Sequence, residues 1–322
     1  MRALVTGGTG FIGSQVVKKL LDENHAVRIF SRKKEIPEMF KGRDLEISKG
    51  DLEDIPSLIN ALEGTDLFYH IGEIKNTSKA AASKNVRLVE EVAGKIKEKQ
   101  VKRMVFVSSI TVSGIPAAIP ANEDTPPKTS LSDYYTEYKR QSEKMIMDNI
   151  GSAEYAIVRP APVYGPGSRY LGRFIDMLEK FGPIGIPFAG DAKNLAALVH
   201  VKDLAQAIYQ AGIEPSAAGQ TFIITDGLRH SWFDFFHAIT EGLGKKLRII
   251  PFPPVFLQIA ALPLDILTGF FGISMDPVSY AAYFSEDVYF DNARARQLLN
   301  WQPAYSLTEG VQDMLEYYKQ KH

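Results

Sequence analysis

The chain has 322 residues, 45% of them hydrophobic and 23% charged, which is enough for a sizeable core in one large α/β domain or two unequal lobes. A formal net charge of -1, with 37 Lys and Arg against 38 Asp and Glu, gives no electrostatic drive toward nucleic acid or an anionic membrane. The absence of cysteine excludes disulfides, thiolate metal sites and thiol catalysis, and it fits a cytoplasmic protein.

Ala3 to Val5 is a short apolar strand that runs into glycines. The apolar stretch before them is too short for a signal peptide, so none is expected. Phe11 to Leu21 carries helical spacing through Ile12, Val16, Val17, Leu20 and Leu21. Strands are predicted at Ala26–Phe30, Glu46–Lys49 and Leu67–Ile71, then a long helix over 81–100 and a buried-type strand at Arg103–Ser108. A helix from Tyr134 to Met147 leads into the strand Tyr155–Val158. Leu198–Val201, the helix after Lys202 and the strand Thr221–Thr225 are expected to return to the main sheet, and an amphipathic helix follows Leu307. Strands alternating with helices predict an α/β fold, a Rossmann-type doubly wound parallel sheet with a smaller, mixed C-terminal lobe. Residues 1–165 form the dinucleotide-binding domain in this reading, with 196–226 returning to it. Residues 166–195 and 227–322 form the substrate-binding lobe.

Residues 252–275 are mostly apolar, but Pro263, Asp265, Gly269 and Gly272 interrupt them and no dense basic flank marks an end. The segment reads as a buried or lid-like pair of short helices, and no membrane span is expected.

Between the first strand and helix stands Thr6-Gly7-Gly8-Thr9-Gly10-Phe11-Ile12-Gly13. Glycine makes the tight turn, lets the backbone approach a pyrophosphate and lets the helix pack close to the strand. The helix start then offers free N–H groups and a positive dipole end to the phosphates. Gly7, Gly10, Phe11, Ile12 and Gly13 are therefore the expected phosphate contacts of a nicotinamide dinucleotide. At the end of the second strand, where an NAD-binding fold usually has an acid, Ser31 is followed by Arg32, Lys33 and Lys34. A 2′-phosphate fits between the Ser31 hydroxyl and the Arg32 guanidinium, so NADP(H) is preferred, with NAD the alternative. In Gly50-Asp51-Leu52, Asp51 either accepts from the adenine amino group, beside Leu52, or caps a local turn.

Tyr135 and Lys139 stand four apart on one helix face. A tyrosine near pKa ~10 transfers protons poorly at neutral pH, and a nearby ammonium favours its phenolate. Ser109 follows the strand Val105-Phe106-Val107, at the sheet edge where open α/β folds bind ligands; taken alone it is equally a strand cap.

The order of these parts resembles an extended short-chain dehydrogenase/reductase of the NAD(P)-dependent epimerase/dehydratase type, over nearly the whole chain. Thr6–Gly13 resembles the T-G-x-x-G-x-x-G turn, Ser109 stands at the catalytic-serine position, and Tyr135 and Lys139 match Y-x-x-x-K. Arg159–Gly167, Leu198–Ala205 and Phe290–Pro303 resemble the family's later segments. The resemblance implies that Tyr135 is the general acid/base, that Lys139 binds the nicotinamide ribose and lowers the tyrosine's pKa, and that Ser109 polarises the reacting carbonyl. It also raises a homodimer as an expectation.

Three departures bear on the substrate. His70-Ile71 is followed by Gly72-Glu73 where the family often has alanines, so a carboxylate either contacts substrate or points to solvent. Pro162 replaces the Asn that epimerases use near the diphosphate, and no acidic pair of a dehydratase is present. Pro162 and Arg32 stand closer to the dihydroflavonol-reductase and 3β-hydroxysteroid-dehydrogenase-like branch. His200, among six histidines, is expected to be structural, and no metal is expected. The leading expectation is an NADP(H)-dependent oxidoreductase acting on a carbonyl or secondary alcohol of a small, moderately apolar molecule. The alternatives are a sugar-nucleotide epimerase with retained NAD(P), in which Arg169 and Arg173 contact a diphosphate, and a non-catalytic redox sensor.

Overall fold

A computed structural model describes residues 1–74, 78–131, 133–253 and 283–320. Most of the apolar segment 252–275 lies outside the described residues. The first half runs β1 (Arg2–Thr6), α1 (Phe11–Asp22), β2 (Ala26–Ser31), β3 (Leu45–Lys49), α2 (Ile55–Ala61), β4 (Leu67–His70), α3 (Lys79–Ile96) and β5 (Arg103–Val107). After the short strands β6 (Ile115–Pro116) and β7 (Pro127–Thr129) come α4 (Tyr134–Asn149), β8 (Glu154–Pro160), β9 (Val163–Tyr164), α5 (Arg169–Phe181) and β10 (Ile186–Ala189). Then follow β11 (Val199–His200), α6 (Val201–Ile213), β12 (Gln220–Ile224), α7 (Trp232–Gly242), β13 (Ile249–Phe252), α8 (Ala293–Leu299) and α9 (Leu307–Lys319).

Seven strands form one all-parallel sheet in the order β12-β8-β5-β4-β1-β2-β3. Its central strands are buried on both faces, as the continuous burial of Leu67–His70 and Arg103–Val107 shows. The pleat sends alternate residues to opposite layers. Ala3, Val5, Val105 and Val107 pack with Val16, Val17 and Leu20 of α1 and with Leu204 and Ile208 of α6. Leu4, Phe68, Met104 and Phe106 pack with Leu58 of α2, Leu88 and Val92 of α3 and Ile146 of α4. Each fully buried aliphatic side chain contributes about 1.5–3 kcal/mol, so the two layers carry most of the stability.

One expectation needs correction. The strand at Val199–His200 does not rejoin the main sheet; it pairs with Val163–Tyr164 in a separate two-stranded unit. The apolar run was strand-like, but β8 has its second edge taken by β12, with Phe222 beside Val158. The aromatic group of α7 is core: Trp232, Phe235 and Phe236 are buried, and Phe233 packs half-buried against them. The C-terminal segment docks on α6 through Asp203, whose carboxylate accepts from Ala304 N at 3.0 Å and Tyr305 N at 3.1 Å. Among the described residues no helix is long and apolar enough to cross a membrane.

Candidate active site

The strand order reverses at β1, which lies between β2 and β4, so a crevice opens beyond the carboxyl ends of β1 and β4. Thr6-Gly7 and His70–Glu73 meet there. Gly7 has φ +69°, and a Cβ on it would stand 2.7 Å from Gly72 N; one on Gly72 would stand 2.8 Å from Gly7 N. Both positions therefore require glycine because two backbones touch. A Cβ on Gly13 would stand 2.1 Å from Gly7 O, which is how closely the first turn of α1 packs on the glycine loop. Gly10 is the N-cap and supplies no side-chain bond to the helix start. The backbone N–H groups at Phe11, Ile12 and Gly13 thus belong to a helix start that no side chain caps, and this cradle fits a dinucleotide pyrophosphate.

Thr6 ties the two strand ends together. Its hydroxyl oxygen accepts from Ile71 N and Gly72 N, each at 3.1 Å, and lies 2.9 Å from His70 Nδ1. With both lone pairs occupied, the hydroxyl donates to Nδ1, which assigns the ring proton to Nε2. Burial, and next the Lys139 charge, pull the His70 imidazolium pKa down to about 3. His70 is a neutral structural partner in this setting.

At the end of β2, Ser31 is half-buried and its Oγ accepts from Lys33 N at 3.2 Å, while Arg32 is exposed. The Asp51 carboxylate accepts from Glu53 N at 3.0 Å and Asp54 N bonds Asp51 O at 2.9 Å, so Asp51 builds a local turn in this structure. Leu52 packs half-buried against the layer of α2 and α3.

The helix α4 begins immediately before Tyr135 because Asp133 caps it, accepting from Thr136 N at 2.9 Å and Thr136 Oγ1 at 2.7 Å. Its buried face holds Thr136, Tyr138, Lys139, Ser142, Glu143 and Ile146. Lys139 Nζ donates to Val107 O at 2.9 Å, beneath the Tyr135 ring, whose centroid is 5.7 Å away. Ser109 Oγ accepts from Thr111 Oγ1 at 3.0 Å and Thr111 N at 3.3 Å, and its own proton turns to the Tyr135 hydroxyl, with which Ser109 is hydrogen-bonded. The three residues converge at the carboxyl edge of β5.

Glu73 points neither to solvent alone nor into open space. Its Oε2 lies 3.6 Å from Lys139 Nζ and accepts from the Tyr138 hydroxyl. Burial first, and the Glu73 charge next, push the Tyr135 phenol above its ordinary value, and Ser109 opposes the shift. Burial lowers the Lys139 ammonium pKa, and Glu73 resists that. The groups that shift the Tyr135 phenol after burial are Glu73, Ser109 and Asp133, while the Lys139 ammonium contacts Glu73 and Val107 O.

Sequence reasoning missed the wall behind Ser109. Glu143, 2% exposed, accepts from Ser108 Oγ at 2.5 Å, from Arg159 Nε at 2.9 Å and from Arg159 Nη2 at 2.6 Å. Arg159 Nη1 reaches Ser113 Oγ at 3.2 Å. The signal was available: Glu143 lies four residues after Lys139 and so on the same helix face. His200 is fully buried, 3.2 Å from Asp313 Oδ2 and with its ring centroid 4.0 Å from that of Tyr305, so it packs the C-terminal segment. Arg173 is exposed on α5.

Known proteins of this architecture include both steroid-acting and sugar-acting enzymes. The chain is 26% identical over 337 residues to the 3 beta-hydroxysteroid dehydrogenase/Delta 5-->4-isomerase of Mycobacterium tuberculosis, covering 98% of this chain and 90% of that one. It is 25% identical over 328 residues to the UDP-glucose 4-epimerase of Vibrio cholerae, covering 98% and 95%. The solved UDP-glucose 4-epimerase of Bifidobacterium longum, in complex with NAD+ and UDP, shares the fold with a TM-score of 0.75 at 18% identity, over 99% and 98% of the two chains. With no single branch favoured among these relatives, the family model itself decides the level at which the chain is placed. The NAD dependent epimerase/dehydratase family matches residues 3–224, and the chain belongs to that family.

Proposed function

We propose that the protein transfers hydride between a nicotinamide dinucleotide and a secondary alcohol or carbonyl of a small molecule, with Tyr135 as acid/base, Ser109 as donor to the reacting oxygen and Lys139 as the cation beneath them. The observation that carries this reading is the convergence of Ser109, hydrogen-bonded to Tyr135, with Tyr135 and Lys139 at one sheet edge beside the glycine cradle. The bound dinucleotide supplies or accepts the hydride. The chain's own residues do the rest. Ser109 orients the oxygen with the proton it now shares with Tyr135, and Tyr135 gives that oxygen a proton or takes one. The Lys139 ammonium sits where it can reach a ribose hydroxyl.

In this reading Ser31 and Arg32 hold a 2′-phosphate, which favours NADP(H). That preference rests on those two residues alone, since NAD is the dinucleotide named for the Bifidobacterium longum relative. The second reading, a sugar-nucleotide epimerase with retained NAD(P), gains support from the epimerases among both the sequence relatives and the solved structures. Pro162, where epimerases use Asn, argues for the dehydrogenase reading. The two readings share the same first step and differ in whether the hydride leaves with the cofactor or returns to the substrate.

The test is thermal stabilisation by NADPH against NADH, followed by a panel of ketones, secondary alcohols and sugar nucleotides. Net change in dinucleotide absorbance with an alcohol or ketone supports the first reading. Sugar inversion without such a change supports the second. No turnover across the panel, with dinucleotide bound, would remove both.

A further inference from the structure

The glycine loop and Glu73 form one backbone unit. Gly72 N bonds Thr6 O at 3.1 Å and rests against Gly7, while on the other side Asn85 clamps Ile74, accepting from Ile74 N at 2.9 Å and donating to Ile74 O at 3.0 Å. Glu73 is held between these two anchors, at the mouth of the crevice. Its carboxylate reaches across the crevice to α4, where it meets Lys139 Nζ at 3.6 Å and the hydroxyl of Tyr138. Tyr138 in turn packs edge-on against Tyr135, with ring centroids 5.5 Å apart, and lies 5.0 Å from Lys139 Nζ.

We propose that Glu73 is a positioning residue: by pairing with Lys139 and holding Tyr138, it fixes the charge balance around Tyr135 and sets the pH at which that phenol passes from proton donor to proton acceptor. The inference rests on the hydride-transfer reading of Tyr135. The titratable and charged groups around Glu73 are Tyr135, Tyr138 and Lys139 on α4, Asp133 at its N-cap, Glu143 one turn further and His70 on β4. Among them Lys139 is the cation in contact with Glu73.

The sign follows from Coulomb's law. A carboxylate near a phenol disfavours the phenolate, and a carboxylate near an ammonium favours the ammonium. Removing the Glu73 charge therefore moves both titrations to lower pH, and they move as a coupled pair. In carbonyl reduction the carbon accepts hydride from the reduced nicotinamide and the oxygen accepts the Tyr135 proton, leaving an alcohol, a phenolate and the oxidised nicotinamide. The reverse step needs the phenolate first. The Tyr135 midpoint is thus read directly as the limb of the kcat/KM profile.

The experiment compares wild type, Glu73→Asp and Glu73→Gln in two measurements against pH, kcat/KM and NADPH affinity by fluorescence, with Tyr135→Phe beside them. The aspartate keeps the charge but withdraws it by one methylene. The expected order of midpoints is wild type highest, Asp intermediate and Gln lowest, with the Gln value about one pH unit or more below wild type. The alkaline loss of NADPH affinity should follow the same order, because Lys139 gives up its proton earlier; this readout needs no substrate, and the Asp variant serves if Gln does not fold. Midpoints that coincide in the folded variants, or that move upward, would overturn the role of Glu73. Tyr135→Phe separates the two ideas: retained turnover in that variant sinks the acid/base reading itself, whereas lost turnover with unmoved Glu73 midpoints sinks the positioning role alone.

Discussion

Arg159 and Glu143 face each other in a two-pronged ion pair, Nε at 2.9 Å and Nη2 at 2.6 Å from the carboxylate, in the wall immediately behind the strand end that carries Ser108 and Ser109. The pair is internal on the Glu143 side, and the carboxylate also accepts a hydrogen bond from the Ser108 hydroxyl, so its charge is fully partnered. Glu143→Leu leaves the Arg159 guanidinium without its counter-ion and Ser108 without its acceptor. Breaking such a buried pair costs about 3–5 kcal/mol. Denaturant unfolding should show that loss, whereas a change under about 1 kcal/mol would mean that solvent or Ser113 substitutes for the carboxylate.

Tyr135→Phe removes one hydroxyl from a half-buried ring whose packing against Tyr138 remains. Turnover should fall by about 100-fold or more, the range for a lost acid/base group, while NADPH affinity changes little. Activity assays alongside a fluorescence binding titration check both halves of this expectation.

Gly13→Ala tests the cradle. The new Cβ would stand 2.1 Å from Gly7 O and 2.7 Å from Gly7 C, and backbone atoms cannot swing away as a side chain can. Overpacking of this kind costs about 1–3 kcal/mol. The larger effect is expected on dinucleotide binding, because relief of the clash displaces the loop that meets the phosphates. An unchanged Kd for NADPH would show that the loop is not the phosphate contact.

Arg32→Ala probes the cofactor preference. Arg32 is exposed, so the free protein should keep its stability. If its guanidinium binds a 2′-phosphate, the Kd for NADPH rises by about 10-fold or more, and that for NADH stays put. Equal changes for the two dinucleotides would assign Arg32 to the general electrostatics of the loop.

Acid should loosen the crevice through His70. The unfolded imidazole titrates near 6.5 and the folded one near 3, so the folded state holds the neutral ring and the unfolded state takes the proton first. The stability contributed by neutral His70 is therefore present above pH 6.5 and is lost as pH falls toward 3. His200 and His230, each pulled down to about 4 by burial, act in the same direction. Thermal unfolding between pH 7 and pH 4 should show a falling Tm, and His70→Asn should flatten part of that slope. A Tm independent of pH in this range would contradict the neutral, buried assignment.

The sequence by itself determined the α/β alternation, because parallel strands buried on both faces must read as apolar runs and amphipathic helices as 3.6-residue stripes. It also marked the glycine loop and the Tyr135–Lys139 spacing, since those depend on contacts within a few residues. The fate of Val199–His200 was not local: an apolar pair of residues reads as strand, and only the occupancy of the neighbouring edge decides which sheet takes it. The same holds for Asp51, whose carboxylate turned to its own loop, and for Glu73, which meets α4 across 65 positions of sequence. Gly72 makes the reason plain. Nothing in its neighbours demands glycine; the backbone of Gly7, brought to it by the pairing of β1 with β4, does. Local spacing fixes which residues can form an element, but charge pairing and close backbone approach are set by distance in space, which the chain acquires only when the sheet closes.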